Sequence, residues 1–382
     1  MFRSIIKKLY LLLFDRDYVM KNSTNKWVFI SYLSEPLYKI GDDVYFNRHQ
    51  NRREAIVIAE SFYKKGFNVH IRRFDKPIIF TKRKYDIIFG LEPNFVYMSS
   101  RNEDALKIYY ATGAYWEFQN SQIKNRTIEA SKRFGHEFKL NRLVAPHNSP
   151  IIADHIMQIG TLNTVQTYPE QLRGKISLLR QSLTVSSDLY KENNKAERAK
   201  RSTFLWFGSK GSILKGLDLI LPIFKTQTNF VLHIVGNMDD DFEEIYKREF
   251  LANNIFYHGF LDITDPNFLA IAEQCTFTIF PSCSEGGTPG SLLNTMYLGL
   301  IPITTAICAS PQMYELGEIV ALNKKSIEDG IKKLQQLSDA DLQLLALKNH
   351  NYIKDNYNLE IFQSDFCSNL TNLLVKNKYI SH

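Results

Sequence analysis

Cysteine is scarce in this chain: four among 382 residues (Cys275, Cys283, Cys308 and Cys367), with no Cys-x-x-Cys pair. That excludes a disulfide framework and a structural zinc, and points to a reducing compartment. Long apolar runs are missing as well. The uninterrupted stretch Leu9 to Phe14 falls far short of the ~20 residues a bilayer-spanning helix needs. No Gly-x-Gly-x-x-Gly follows the first strand-like segment, so the dinucleotide fingerprint is absent. No Asp-x-Asp stands at a strand end. The run Asp239-Asp-Asp241 opens a helical segment and reads as a charge-complementary helix start rather than a metal ligand set, so no metal and no cofactor are expected.

What is present is a globular composition, 44% hydrophobic and 13% aromatic, in a chain long enough for two domains with substantial cores. The net charge of +7 permits an acidic partner, but the basic residues are dispersed. With no basic stripe and no RNA-recognition motif, a nucleic-acid partner is not expected. Residues 1–25 form a basic amphipathic N-terminal segment. Its start, Met1 to Phe14, mixes bases with large apolar side chains, and Asp15-Arg-Asp17 follows where a secretory signal would carry small residues. Two readings stand side by side: a helix lying on a membrane surface, or a terminal helix packed on the protein itself.

From Lys26 strands and helices alternate. Trp27–Leu33 reads as a strand, and Asn51–Lys65 as a helix with Ala55, Ile58, Ala59 and Phe62 on one face, ended by Gly66. Further strands are expected at Asn68–Ile71, Tyr85–Phe89, Phe95–Met98, Lys107–Ala111, Ile156–Ile159 and Ile176–Leu179. Such spacing indicates an α/β domain with a mostly parallel sheet over 26–185. The loop Glu35–Gln50 is long and lies at a strand's carboxyl end, where ligands bind in such sheets. His49, Arg52 and Arg53, at its junction with the helix, are candidates to face a cleft, since arginines at a helix start oppose the dipole.

Ser186–Ser202 is polar and reads as a linker. The alternation then restarts over 203–356. Strands are expected at Thr203–Phe207, Asn229–Val235, Ile255–His258, Phe277–Phe280, Ile301–Thr304 and Ile319–Leu322. Helices are expected after Gly208–Ser212 and over Asp239–Asn253, Asp265–Gln274, Ser326–Leu337, Asp339–Asn356 and Leu359–Val375, the last within a C-terminal element, 357–382.

Two stretches of the second half carry chemistry. In Phe280-Pro-Ser-Cys-Ser-Glu-Gly-Gly-Thr-Pro-Gly-Ser-Leu-Leu-Asn-Thr-Met-Tyr-Leu-Gly-Leu-Ile-Pro302 a buried strand gives way to a short loop and a helix. Thr288 is a good N-cap and Pro289 a good first helical residue, so the amides of Gly286, Gly287 and Gly290 should crowd a helix N-terminus suited to a diphosphate. Glu285 at the mouth of that loop either faces sugar hydroxyls or merely supports the helix start.

The other stretch is Phe207-Gly-Ser-Lys-Gly-Ser-Ile-Leu-Lys-Gly-Leu-Asp218. Together, in order and separation, the two resemble the motifs of the retaining family four of glycosyltransferases (glycosyl transferases group 1). The resemblance covers roughly residues 26–365 and is strongest over 203–305. It implies two Rossmann-like domains (the GT-B architecture) with a deep interdomain cleft, and a closing helix that crosses back to the first domain. It also implies transfer of a sugar, with retention, from a nucleoside diphosphate sugar to a glycan or lipid-linked acceptor.

Residue by residue, the resemblance implies that Lys215 binds the donor diphosphate and that Glu285 contacts the sugar. Ser209, Lys210, Gly286, Gly287, Thr288, Gly290 and Ser291 would complete the donor site. Asn294 stands where the family has a second glutamate on the ribose, and an amide can still pair with a ribose hydroxyl. Ser209 and Lys210 replace a family arginine, so Lys210 would supply the second positive charge. In Ala111-Thr-Gly-Ala-Tyr-Trp-Glu-Phe-Gln-Asn120 the family histidine is replaced by Tyr115, which joins His49 and Arg53 as an acceptor-side candidate. The implied setting is cytoplasmic, with peripheral contact on the inner face of a membrane, in surface polysaccharide synthesis. A degenerate transferase-like protein that binds nucleotide sugars without turnover is the alternative.

Overall fold

The computed structural model describes residues 17–76, 83–184 and 202–380. Residues 1–16 of the basic N-terminal segment, and all but Ser202 of the expected linker, lie outside these. Two sheets form among the described residues. The first contains β1 (Tyr18–Met20), β2 (Trp27–Tyr32), β3 (Asn68–Arg73), β4 (Ile87–Gly90), β5 (Leu106–Ala111), β6 (His155–Ile159) and β7 (Ile176–Leu179), in the order β1-β3-β2-β4-β5-β6-β7. The second contains β8 (Thr203–Phe207), β9 (Val231–Val235), β10 (Ile255–Tyr257), β11 (Phe277–Phe280), β12 (Ile301–Thr304) and β13 (Glu318–Ile319), in the order β10-β9-β8-β11-β12-β13. Only β1, which runs antiparallel to β3, departs from parallel pairing.

The strands are short continuous apolar runs because helices cover both faces. Val28, Phe29 and Ile30 of β2 are all buried, on alternate sides of the sheet. One face packs on the helix Asn51–Lys64 through Ile58 and Phe62, and also on the chain's last helix, Leu359–Lys376, through Phe362, Phe366 and Leu370. That last helix therefore lies on the first sheet, and Asp365 ties it there by accepting from Nε and Nη2 of Arg180, each at 2.8 Å.

Several expectations are corrected. Phe95–Met98 belongs to a helix, Asn94–Arg101, because Phe95 and Met98 form a buried face at i, i+3 while Tyr97 between them is exposed. The helix expected over Asp239–Asn253 ends at Ile245. The loop Glu35–Gln50 holds a 3₁₀ turn, Glu35–Tyr38, and a short helix, Asp43–Phe46, whose N-cap Asp42 accepts from the Tyr45 amide at 2.9 Å. Within the segment 1–25, Tyr18–Met20 is an edge strand.

The helix Trp116–Phe134 is not among the elements expected from the sequence. Its four buried residues, Ile123, Arg126, Thr127 and Ala130, include two polar ones, so no apolar stripe announces it. It begins beside β5, yet Ala130 and the following Phe138 join the core of the second sheet with Trp206 and Phe242. This helix braces the two halves against each other.

In each sheet the strand order reverses once, between β2 and β4 and between β8 and β11. Crevices beyond the carboxyl ends at such switch points are where ligands bind in this architecture.

Candidate functional site

At the second switch point the end of β8 meets the end of β11. After Phe207 the chain turns through Gly208–Gly211. The Asp239 carboxylate fixes that turn, accepting from the Gly211 amide at 3.1 and 3.0 Å and from the Ser212 amide at 2.8 Å. Asp239 stands at the N-cap position of the helix Asp240–Ile245, but its side chain braces this loop and makes no capping bond to the helix. Lys215, 5% exposed, reaches back under the same turn, and its Nζ donates to the Ser209 carbonyl (2.8 Å), the Ser209 hydroxyl (2.9 Å) and the Lys210 carbonyl (2.8 Å). Burial, with Arg142 adding to it, pulls the Lys215 ammonium down to about 7, against the opposing pull of Glu285 and Asp239.

After β11 the loop Pro281–Pro289 carries Glu285. Ser282 Oγ donates to Glu285 Oε1 at 3.0 Å. Burial pushes this carboxyl up, while Lys215, Arg142 and Ser282 hold it down. The helix that follows starts one residue later than its sequence suggests: Pro289 is the N-cap and Gly290 the first helical residue. Thr288 is buried instead, its hydroxyl 3.5 Å from Met313 Sδ. The free amides of the first turn therefore belong to Gly290 and the residues after it.

Lys215 and Glu285 line one cleft of about 310 Å³ with Ser209, Gly290, Ser291, Asn294 and His49, so these sequence candidates converge. Asn294 Nδ2 donates to Thr184 Oγ1 at 3.1 Å and to the Gly290 carbonyl at 2.6 Å, which leaves its buried Oδ1 without a partner. Other candidates lie outside the cleft. Lys210 points to Asp240, 3.7 Å away, and is mostly exposed. Arg53 is committed to the Phe46 and Thr184 carbonyls and to Asn47, at 2.9, 2.5 and 2.6 Å. Arg52 donates to the Tyr45 carbonyl and lies over the Tyr45 ring. Tyr115 is buried on a different cavity.

Gly286 and Gly287 serve the contact between the halves. A Cβ at Gly286 would stand 2.5 Å from the Thr112 carbonyl oxygen, and one at Gly287, where φ is +81°, 2.5 Å from Gly160 Cα. Only glycine allows the loop of Glu285 to close on the first sheet this way.

Arg142 carries no sequence signal of its role. It follows the helix Trp116–Phe134 in a segment without periodicity, and it has φ of 62°, a strained value for a non-glycine residue. Gln119 Nε2 donates to its carbonyl at 3.2 Å, its stem crosses Gly211, and its Nη1 donates to the Lys210 carbonyl at 3.3 Å. A guanidinium from the first half thereby enters the cleft beside Lys215 and Glu285. Phe260, 60% exposed, and Ile263 also line the cleft, from the loop after β10. Their only sequence signal is an apolar run past a strand end.

Residues 191–356 match the family model described as glycosyl transferases group 1. None of the curated proteins matches the chain. Among solved structures, sucrose-phosphate synthase from Thermosynechococcus elongatus is similar at 11% identity and a TM-score of 0.60, over 92% of this chain and 100% of that one. Anabaena HepE in complex with UDP-glucose is similar at 12% identity and a TM-score of 0.54, over 91% of this chain and 99% of that one. The N-terminal domain of Candida albicans trehalose-6-phosphate phosphatase is similar at 11% identity and a TM-score of 0.54, over 93% and 97% of the two chains. The fold is GT-B: two Rossmann-like domains with a cleft between them.

Proposed function

We propose that the protein is a glycosyltransferase that moves a sugar, with retention, from a nucleoside diphosphate sugar to a hydroxyl of a glycan or lipid-linked acceptor. The observation that carries this reading is the convergence of Lys215, Arg142 and Glu285 on the cleft at the second switch point, next to the first amides of the helix Gly290–Tyr297. The match of residues 191–356 to the glycosyl transferases group 1 model supports it, as does the likeness in fold to a protein holding UDP-glucose.

In the reaction the bond from the anomeric carbon to the diphosphate oxygen breaks and a bond to the acceptor oxygen forms on the same face. The acceptor's proton passes to the departing diphosphate. Lys215 and Arg142, with the amides of Gly290 and Ser291, would stabilise the charge that grows on the leaving group, and this reading asks no metal of the site. Glu285 would hold sugar hydroxyls, and the open Asn294 Oδ1 would accept from a ribose hydroxyl. The exposed Phe260 ring offers the base a stacking surface. Cell-surface polysaccharide is the proposed product class, with peripheral contact at a membrane. No helix among the described residues is long and apolar enough to cross one.

The alternative, binding without turnover, draws on Asn294 in place of a carboxylate and on Lys215 already having three acceptors. A thermal-shift panel of nucleotide sugars tests both readings. A true donor at about a hundred times its dissociation constant should add roughly 2.7 kcal/mol, and release of nucleoside diphosphate from that donor separates transfer from binding. If no nucleotide sugar stabilises the protein, both readings fail.

A further inference from the structure

Behind the turn that follows β8 lies a carboxylate that does not line the cleft, Asp239. β9 ends at Val235, whose carbonyl accepts from the Gly208 amide at 3.0 Å. Gly236 has φ of +128°, and a Cβ there would stand 1.8 Å from the Gly208 carbonyl oxygen, so only glycine lets the two strand ends meet backbone to backbone. Met238 and Phe242, both buried in the core of the second domain, fix the chain on either side of Asp239. The carboxylate is thus held under the Gly208–Gly211 turn, 7% exposed, with Oδ2 accepting from both the Gly211 and the Ser212 amides.

One peptide unit of the turn joins Asp239 to the cations of the cleft. Its N–H, from Gly211, points back to the carboxylate, while its C=O, from Lys210, accepts from Lys215 Nζ at 2.8 Å and from Arg142 Nη1 at 3.3 Å. The N–H and C=O of a trans peptide point in opposite directions, so a group that fixes the one behind aims the other in front. Negative charge on the amide side also polarises the unit and strengthens the carbonyl as an acceptor. Gly211, with φ of +97°, sets this orientation, and a Cβ there would stand 2.6 Å from Arg142 Cδ. A side chain at 211 would therefore block the stem of the arginine.

Such an arrangement holds two positive charges in one cleft without neutralising either. Lys215 and Arg142 disfavour each other there, and the carboxylates that face Lys215 are Glu285 and Asp239, both of which support its ammonium. The two differ in place. Glu285 lines the cleft, whereas Asp239 acts from behind the turn, where no ligand of the cleft displaces it. A direct ion pair with Asp239 would occupy a cation that an anion needs. With a peptide in between, each cation can exchange a neutral carbonyl for a charged phosphate oxygen, the stronger partner.

We propose that Asp239 is a positioning residue for the donor diphosphate: through the Lys210–Gly211 peptide it holds the turn that aims Lys215 and Arg142 at the phosphates. The diphosphate rests on the transferase reading; the hold on the turn does not. The experiment compares Asp239→Ala with Asp239→Asn, whose single oxygen can take the place of Oδ2 and accept from both amides. In the ligand-free full chain, hydrogen exchange at Gly211 and Ser212 should quicken about tenfold in Asp239→Ala and stay near its original rate in Asp239→Asn. By calorimetry, Asp239→Ala should weaken nucleoside diphosphate about tenfold, while affinity for the nucleoside, which has no phosphate, is unchanged. Asp239→Asn should bind nucleoside diphosphate normally at pH 5.5. Its affinity should then begin to fall at a lower pH than that of the unaltered chain, because a charge that supports the Lys215 ammonium is gone. Three results would overturn the proposal: exchange unmoved in Asp239→Ala, nucleoside and nucleoside diphosphate weakened alike, or no recovery of affinity in Asp239→Asn. Should the unaltered chain bind no nucleoside diphosphate, the transferase reading and the diphosphate role fall together, and the exchange rates alone decide the hold on the turn. Nucleoside diphosphate binding that Asp239→Ala leaves intact sinks the positioning role and spares the reading.

Discussion

Arg126 Nη2 donates to both carboxylate oxygens of Asp218, at 3.0 and 2.8 Å, and so joins the helix Trp116–Phe134 to the helix Leu217–Thr226 across the two domains. Arg133 Nη2 adds a third bond to the same carboxylate at 2.5 Å. Asp218 is fully buried and Arg126 nearly so. A buried pair offsets its desolvation only while both partners are present, and removing one strands the other. Asp218→Ala should therefore cost about 3–5 kcal/mol in urea unfolding, and Asp218→Ala combined with Arg126→Met should recover much of that loss. A single-variant cost under about 1 kcal/mol, as for an exposed pair, would mean that the two domains are not held together here.

Glu54 gives a stability signature in pH. Its Oε1 accepts from the Ser182 amide at 2.7 Å and from the Ser182 hydroxyl at 2.9 Å, and burial pushes its carboxyl from 4.5 up to about 7. The folded state thus keeps a proton that the unfolded state releases between pH 4.5 and 7. Its favourable contribution is fully present below pH 4.5 and is lost as pH rises through about 7. Glu54→Gln keeps the acceptor oxygen and removes the ionisation. It should raise the melting temperature at pH 8, by an amount on the order of 2–3 kcal/mol in stability, with the difference shrinking towards pH 5. Equal melting curves at pH 8 would rule out an ionised, buried Glu54.

Strands such as Thr203–Phe207 and Phe277–Phe280 are apolar runs bounded by turns, so their number and order suffice to suggest two doubly wound sheets. Lys215 and Glu285 follow strand ends directly, and position in this topology translates into position in the cleft. Arg142 comes from a non-periodic segment, and only the close packing of the domains through Gly286 and Gly287 brings it to Lys215. Arg53 misled because an arginine at a helix start can satisfy nearby carbonyls as readily as an anion. Phe95–Met98 misled because four apolar-rich residues fit either period.

The low basicity of Lys215 predicts proton uptake on binding. A diphosphate stabilises the ammonium and raises its pKa from about 7. Affinity for nucleoside diphosphate should then be flat below pH 7 and fall above it, by up to about tenfold per unit, since each unit corresponds to about 1.4 kcal/mol. At pH 8, calorimetry in two buffers of different ionisation enthalpy should detect an uptake approaching one proton, and Lys215→Gln should abolish it. Binding at pH 8 without proton uptake would place the phosphate away from Lys215.

Lys215 and Glu285 should separate when each is changed alone. Lys215→Ala removes a charge-assisted contact to phosphate, so it should weaken nucleoside diphosphate binding whether or not a sugar is attached. Glu285 has nothing to hold in the free nucleotide. Glu285→Gln, which still offers Ser282 Oγ an acceptor, should leave nucleoside diphosphate affinity unchanged or slightly raised, because a buried negative charge beside the phosphates is gone. Transfer should fall by about a hundredfold or more, the usual loss of a positioned polar group at a transition state. Titration of both variants with nucleoside diphosphate, alongside turnover of the intact donor, measures the contrast. Near-normal turnover of Glu285→Gln would leave this carboxylate a support for its loop and remove the central residue of the transferase reading.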